Sequence, residues 1–196
     1  MKNKLISIFC IIIFPLIILI SSFSTLVYND SWYLDHVVQI ENHENHVYNI
    51  LDYLQDKNVL IEFTQKDKLH MVDVKNLIDF TLYLNYFLVF LVLLAISYFL
   101  IIKNYNEIGN IFIFGSGLFF VFGALFYFVP FSWLFIKFHL VAFNNDLWIL
   151  HPSESLLIRL FDQDFFKDFF YNVLFRSSLF SIFYLFIGFL INKNFK

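Results

Sequence analysis

Four long apolar runs divide the chain, at residues 5–27, 81–102, 111–129 and 174–191. Each is close to the roughly 20 helical residues that cross the hydrocarbon core of a membrane. Polar segments of very unequal length separate them. The pattern therefore predicts four transmembrane helices.

The first run also resembles a signal peptide, because Lys2 and Lys4 precede it and a small-x-small tripeptide lies at residues 22–24. Its apolar stretch nevertheless begins at Leu5 and continues past Ile20. That length exceeds the roughly 7 to 15 apolar residues of a signal peptide. We expect a helix that is retained in the membrane.

The short polar segments 1–4, 103–110 and 192–196 are rich in lysine and contain one acid, Glu107. By the positive-inside rule these segments face the cytoplasm, together with both termini. The long segments 28–80 and 130–173 then lie outside.

The sequence thus predicts an all-α integral membrane protein with four transmembrane helices. Its extracytoplasmic cap would be built from two long loops that contain amphipathic helices. In chain order the expected segments are the N-terminus and first span (1–27), the first outer segment (28–80), the second span (81–102), the cytoplasmic loop (103–110), the third span (111–129), the second outer segment (130–173), and the fourth span with the cytoplasmic tail (174–196).

Composition agrees with a membrane protein, since 60% of the residues are hydrophobic, 15% are charged, and the mean hydropathy is +0.71. A formal net charge of −3 gives no sign of a nucleic-acid-binding patch. The single cysteine, Cys10, excludes a disulfide framework and a cysteine cluster for zinc. A structural cysteine is the favoured interpretation.

The two outer segments contain all six histidines and every acidic residue except Glu107. Any chemistry is therefore expected on the outer face. Polar residues must lie in loops when the rest of a chain is in lipid. A solvated cap without activity thus stays open as an alternative.

In the first outer segment, Val47, Ile50, Leu51 and Leu54 have helical spacing, which predicts a short amphipathic helix. A short strand-like run follows at 58–63.

The same segment contains His36, His43 and His46, of which the last two flank Glu44 and could in principle bind a metal. No HExxH helix or second cluster accompanies them. Solvated polar positions are the favoured interpretation.

Immediately before the second span, a helix over 70–79 would place His70, Asp73 and Leu77 on one face. A carboxylate three residues from an imidazole can hold it in one tautomer and stabilise its protonated form. A purely structural pair is the alternative. Proximity to the membrane favours function, because ionisable groups are costly there.

In the second outer segment, His139 follows the third span by about the distance at which His70 precedes the second, so the two histidines could meet. Residues 144–146 can turn the chain through their short side chains. The apolar positions from 156 to 170 predict amphipathic helices on the membrane surface. A hairpin that only anchors the bundle is the alternative.

Two stretches, FTQKDKLHMVDVKNLI and FHLVAFNNDLWILHPSESLLIRLFDQDFF, framed by four spans, resemble the lipoprotein intramolecular transacylase (Lit) family of low-GC bacteria. The matching positions are His70, Met71, Asp73, Val74 and Lys75 in HMxDVK, and Phe138, His139, Phe143, Asn145, Asp146, Trp148 and Leu150 in FHxxxFxNDxWxL. The chain departs from the family pattern at His151 and Ser155, where aspartates are common, and at Asp162, where proline is common.

The resemblance implies that the sn-2 acyl chain of a diacylglyceryl-modified lipoprotein moves to the α-amine of its N-terminal cysteine. This chemistry needs no enzyme nucleophile, no cofactor and no metal. The resemblance further implies His70 and His139 as acid and base, in either order. Asp73 and Asp146 would orient them, Asn145 would donate to an oxyanion or headgroup, and Trp148 would support the site.

Two other functions stay open. One is a non-enzymatic membrane accessory protein whose outer cap binds a partner. The other is a metal-dependent membrane hydrolase that uses His36, His43, His46 or His70 with acidic ligands.

Overall fold

The computed structural model describes residues 2–57 and 63–195, apart from the side chain of Tyr127. The helices are α1 (Lys2–Ser24), α2 (Asp30–His36), α3 (His43–Leu54), α4 (Gln65–Ile101), α5 (Tyr105–Tyr127), α6 (Phe131–Ala142), α7 (Leu156–Leu160) and α8 (Gln163–Asn194). The described ranges contain no strand, and the all-α prediction is confirmed. Apart from Phe63, the strand-like run at 58–63 lies outside the described residues.

Four helices, α1, α4, α5 and α8, are long and apolar enough to cross a membrane, which confirms the four predicted spans. Two of them are much longer than their apolar runs. Helix α4 has 37 residues and begins 16 residues before position 81, while α8 has 32 and begins at Gln163. The polar ends of both helices are thus continuous with apolar spans.

The chain forms two compact units. The first comprises Met1–Ser24, Thr81–Phe128 and Asn172–Lys196. In its core the ring of Phe14 packs against those of Phe112 and Tyr184, with centroids 5.5 and 5.1 Å away. Cys10 is also buried there, as a structural cysteine would be.

Glycines let helices of this unit approach closely. A Cβ atom on Gly188 of α8 would lie 2.8 Å from the carbonyl oxygen of Gly109 in α5. A Cβ on Gly115 would lie 2.7 Å from Phe14 of α1. Small residues at helix crossings are typical of membrane bundles, where close packing replaces the hydrophobic effect.

The second unit comprises Thr25–Phe80 and Val129–Tyr171. It contains α2, α3, α6, α7 and the first turns of α4 and α8. The predicted amphipathic helix is α3, because all four of its spaced apolar residues are buried. Trp32 and Tyr33 of α2 pack their rings on Phe165 and Phe169, with centroids 5.3 to 6.3 Å apart.

Candidate active site

His70 lies on the second turn of α4, in the second unit. The start of the helix is fixed by a capping box in which the backbone N–H of Asp67 donates to Thr64 Oγ1 at 3.1 Å and that of Thr64 donates to Asp67 Oδ2 at 3.3 Å. The His70 side chain is buried, and the ring of Phe143 meets it edge-on at 5.3 Å. The imidazole is therefore held on a rigid helix and largely shielded from water.

His139 lies in the last turn of α6 and is also buried. Its ring is surrounded by aromatic side chains, with centroids 4.3 Å from Phe135, 5.0 Å from Trp148 and 5.6 Å from Phe143. Helix α6 ends at Ala142, three residues after His139, and the N–H of its C-cap residue Phe143 donates to the His139 carbonyl at 3.0 Å. The following loop then returns to cover the ring.

The structure brings His70 and His139 together, with ring centroids 6.4 Å apart and ring planes inclined by 33°. A ring nitrogen lies only about 1.2 Å from its centroid, so the closest nitrogens are at least about 4 Å apart, beyond hydrogen-bond range. The two imidazoles thus do not hydrogen-bond each other. A reacting atom could lie between them.

The hydrogen bonds indicate which nitrogen of each ring carries the proton. His139 Nδ1 lies 2.7 Å from the carbonyl oxygen of Phe135, which can only accept, so Nδ1 carries the hydrogen. In the neutral ring, Nε2 then carries no hydrogen and can accept a proton. Among the residues that the structure describes, Nδ1 of His70 is enclosed without a hydrogen-bond partner. An enclosed acceptor costs less than an enclosed N–H, which favours the tautomer of His70 with hydrogen on Nε2.

His70 precedes the second predicted span and His139 follows the third, so both lie outside the spans. Burial lowers the pKa of each histidine below its ordinary value. Desolvation, with the neighbouring His139 as the next cause, lowers the pKa of His70 to about 4, against an opposing effect of Asp73 and Asp67. Burial also lowers the pKa of His139, although its bond to Phe135 opposes the shift. Both imidazoles are therefore neutral near pH 7.

Asp73 makes its hydrogen bond to Asn145 and not to His70. Asn145 Nδ2 donates to Asp73 Oδ2 at 2.9 Å, while Asn145 Oδ1 accepts from the backbone N–H of Leu147 at 3.0 Å. This fixes the orientation of the Asn145 amide and leaves its second N–H available. Asp73 acts on His70 only through its charge, which raises the pKa of that ring.

The loop between α6 and α7, residues 143–155, also carries Asp146 and Trp148. The side chain of Asp146 is exposed, and its carbonyl oxygen accepts from the N–H of Ile149 at 3.2 Å. In the described part of the chain, this carboxylate makes no hydrogen bond to a histidine. Trp148 lies against His139.

An apolar groove of about 600 Å³ opens beside the C-terminal half of α6. It is lined by Leu77, Leu134, Lys137, Phe138, Val141 and Ala142. Phe138 immediately precedes His139 and also contacts it edge-on at 5.4 Å. The groove thus provides apolar surface close to the pair of histidines.

Sequence reasoning missed a buried pair, Asp67 and Ser155, whose side chains hydrogen-bond at 2.6 Å. The T-x-x-D spacing of Thr64 and Asp67 at the start of α4 is a capping signal that could have identified the acid. For Ser155, the only indication in the sequence was its departure from the family pattern, in which aspartate is common at this position.

Two other histidines, His36 and His43, make local contacts. His36 stacks on Trp32, with centroids 4.1 Å apart, and its Nδ1 bonds to the carbonyl oxygen of that residue at 2.8 Å. His43 bonds to the carbonyl of Ile40 at 2.9 Å. Across the described ranges, no three His, Cys, Asp or Glu side chains are grouped as metal ligands.

The model for the family described as "Lipoprotein intramolecular transacylase Lit" matches residues 3–166, which include both histidines. Comparison with curated proteins finds no match. The fold is similar to that of the membrane integral lipoprotein intramolecular transacylase Lit from Bacillus cereus, with a TM-score of 0.82, 20% sequence identity, and coverage of 98% of this chain and 96% of that one.

Two solved structures of the same Bacillus cereus protein, each with one histidine replaced, are also similar. The arginine variant gives a TM-score of 0.81 at 19% identity, covering 98% of this chain and 92% of that one. The alanine variant gives 0.79 at 19% identity, covering 98% and 94%. Identity this low supports the fold alone, whereas the family model covers most of the sequence. The chain belongs to the lipoprotein intramolecular transacylase (Lit) family.

Proposed function

We propose that His70 and His139 drive an intramolecular acyl transfer in a diacylglyceryl-modified lipoprotein. The sn-2 acyl chain moves to the α-amine of the N-terminal cysteine and leaves a lyso-form, N-acylated lipoprotein. The observation that carries this proposal is the pairing of two buried, neutral imidazoles 6.4 Å apart, each within a family motif. The chain is thus an acyltransferase whose substrate is a lipoprotein.

The reaction balances without any further reactant. The neutral amine attacks the ester carbonyl, so a carbon–nitrogen bond forms and the bond from the acyl carbon to the sn-2 oxygen breaks. The amine loses one proton to a base, and the departing glycerol oxygen gains one from an acid. Because the attacking nitrogen belongs to the substrate, the protein needs no nucleophile of its own.

The tautomers suggest which histidine has which role. His139 serves as the base through Nε2, because its other nitrogen is committed to Phe135. His70 donates a hydrogen bond through Nε2–H to the developing oxyanion and keeps its proton throughout. The imidazolium formed at His139 then acts as the acid and delivers that proton to the departing glycerol oxygen, so both rings end neutral.

The polar neighbours have supporting roles. Asn145, held by Asp73, directs its second N–H toward the oxyanion or the glyceryl headgroup. Trp148 fixes the plane of the His139 ring. Asp146 stays a predicted orienting residue, acting through the turn that its carbonyl closes with Ile149.

The membrane setting follows the charge pattern of the sequence. In our proposal both termini are cytoplasmic, segments 28–80 and 130–173 are outside, and the site works at the outer face of the bacterial cell membrane. Surrounding lipid solvates the acyl chains, and the apolar groove beside α6 accommodates one of them. Nucleic acid plays no part.

The test is expression in a host whose lipoproteins are diacylated, followed by mass spectrometry of N-terminal lipopeptides. We expect the wild-type chain to produce lyso-form lipoprotein, and His70→Ala and His139→Ala to produce none while still inserting. His151→Ala is the matched control, since this imidazole is exposed.

Lyso-form product from both alanine variants would refute the roles of the two histidines. Unchanged lipoproteins with the wild-type chain would favour the accessory-protein alternative instead.

A further inference from the structure

Asp67 is fully buried, and the proposed reaction does not use it. Its side chain is 0% exposed, whereas every other Asp, Glu, Lys and Arg in residues 2–57 and 63–195 reaches solvent. Burying a carboxylate is costly unless hydrogen bonds compensate for its lost hydration. The position of this charge therefore needs a reason.

The carboxylate is satisfied by two helix starts. Its Oδ2 accepts from Thr64 N–H in the capping box of α4, and its Oδ1 accepts from Ser155 Oγ at 2.6 Å. Ser155 is the N-cap of α7, and its hydroxyl oxygen also accepts from Ile158 N–H at 3.3 Å. The short O–H···O⁻ bond is of the strong, charge-assisted kind.

This bond connects the two elements that carry the site. Asp67 lies one helical turn before His70 on α4. Ser155 ends the loop 143–155, which carries Asn145 and Trp148.

Two further bonds join the same elements, from Lys66 Nζ to the carbonyl of Ile149 at 2.5 Å and from Asn145 to Asp73, but both are exposed. The Asp67–Ser155 bond is buried, so water does not compete for it.

We propose that Asp67 and Ser155 are positioning residues that hold the loop 143–155 against α4 and so keep Trp148 and Asn145 in place around the two histidines. This inference rests on the proposed function and adds to it. Neither residue touches the substrate in this scheme. Because a misplacement of 1 Å can cost about a hundredfold in rate, loosening the loop should lower kcat more than it changes KM.

The sharpest test replaces the Ser155 hydroxyl with a group of similar shape. Ser155→Cys keeps the size nearly unchanged, but its S–H is a weak donor, whereas Ser155→Thr keeps the hydroxyl. Ser153→Ala, an exposed serine in the same loop, is the matched control. Initial rates are measured on a synthetic diacylglyceryl lipopeptide with purified protein, normalised to the folded fraction from size-exclusion chromatography.

We expect kcat of Ser155→Cys to fall at least about tenfold, with KM within about twofold of wild type. Ser155→Thr should recover most of the rate, and Ser153→Ala should equal wild type. Asp67→Asn should also lower kcat. Combined with Ser155→Cys, it should cost little more than the larger single loss, because both changes break one bond. If Ser155→Cys does not fold, Asp67→Asn and Ser155→Thr carry the same comparison.

Wild-type kcat in Ser155→Cys would overturn the inference. So would a Thr variant as slow as the Cys variant, or losses that multiply in the double variant. Failure of the proposed function looks different, since the wild-type protein would then form no lyso-form product at all.

Discussion

The two histidines should respond differently to replacement by glutamine. A glutamine amide nitrogen lies near the position of imidazole Nε2 and can donate a hydrogen bond, but the amide cannot serve as a base near neutral pH. In the proposed reaction His70 is a donor through Nε2 and His139 is a base. We therefore expect His70→Gln to keep part of the activity and His139→Gln to be as inactive as His139→Ala.

The structure sets the size of this difference. Glutamine at position 70 keeps the donor and loses no hydrogen bond of Nδ1, which has no partner within residues 2–57 and 63–195. Glutamine at position 139 loses both the base and the 2.7 Å bond to Phe135. Losing a general base costs about 10²- to 10⁴-fold in rate. We expect His70→Gln within about tenfold of wild type and His139→Gln at least about a hundredfold slower, a gap of roughly 1.4 kcal/mol or more in the barrier.

The assay follows conversion of a synthetic diacylglyceryl lipopeptide by mass spectrometry, with initial rates from purified protein in detergent. His70→Asn is the control, because its amide nitrogen falls near Nδ1 and should rescue less than glutamine. Equal rates for the two glutamine variants, or a faster His139→Gln, would refute the assignment of base and donor.

Two further predictions concern stability. Because the folded-state pKa of His70 is about 4 while its unfolded value is near 6.5, the neutral ring stabilises the fold fully above pH 6.5, and this stability is lost as pH falls toward 4. Between pH 7 and pH 5 the free energy of unfolding, measured by denaturant titration, should fall by about 1 to 2 kcal/mol more in the wild type than in His70→Gln. Equal losses would contradict the lowered pKa of His70. Gly188→Ala should lower the unfolding temperature, because its Cβ would lie 2.8 Å from the Gly109 carbonyl oxygen. Gly117→Ala is the control and should leave the unfolding temperature unchanged, because there is open space around Gly117. Equal effects of the two substitutions would count against the close α5–α8 crossing.

The spans and local helices could be predicted because their signals are local. An apolar run of about 20 residues is sufficient to identify a span, and helical spacing of four apolar residues is sufficient to identify α3. The start of α4 at Gln65 was harder to predict, because the helical residues that precede its apolar run are largely polar. The capping box of Thr64 and Asp67 marks that start, and its T-x-x-D pattern is readable in the sequence.

The site could be predicted only in outline. Equal distances from two spans indicated that His70 and His139 could meet, and the structure brings them to 6.4 Å. The partner of Asp73 could not be foreseen, because Asn145 lies 72 residues away and depends on how the loop returns. The Asp67–Ser155 bond joins residues 88 apart for the same reason. Local periodicity carries no information about such pairings.

Burial of the two histidines also bears on which reaction the site favours. An ester held beside a base can be attacked by water as well as by the amine, and the product would then be a free fatty acid. Phe135, Phe143 and Trp148 surround His139 at ring distances of 4.3 to 5.6 Å and leave little room for water around the base. Under the proposed mechanism, the substrate's own amine reaches Nε2 because the glyceryl group tethers it there. Exclusion of water and proximity of the amine thus favour transfer over hydrolysis, even though the two imidazoles alone would serve either reaction.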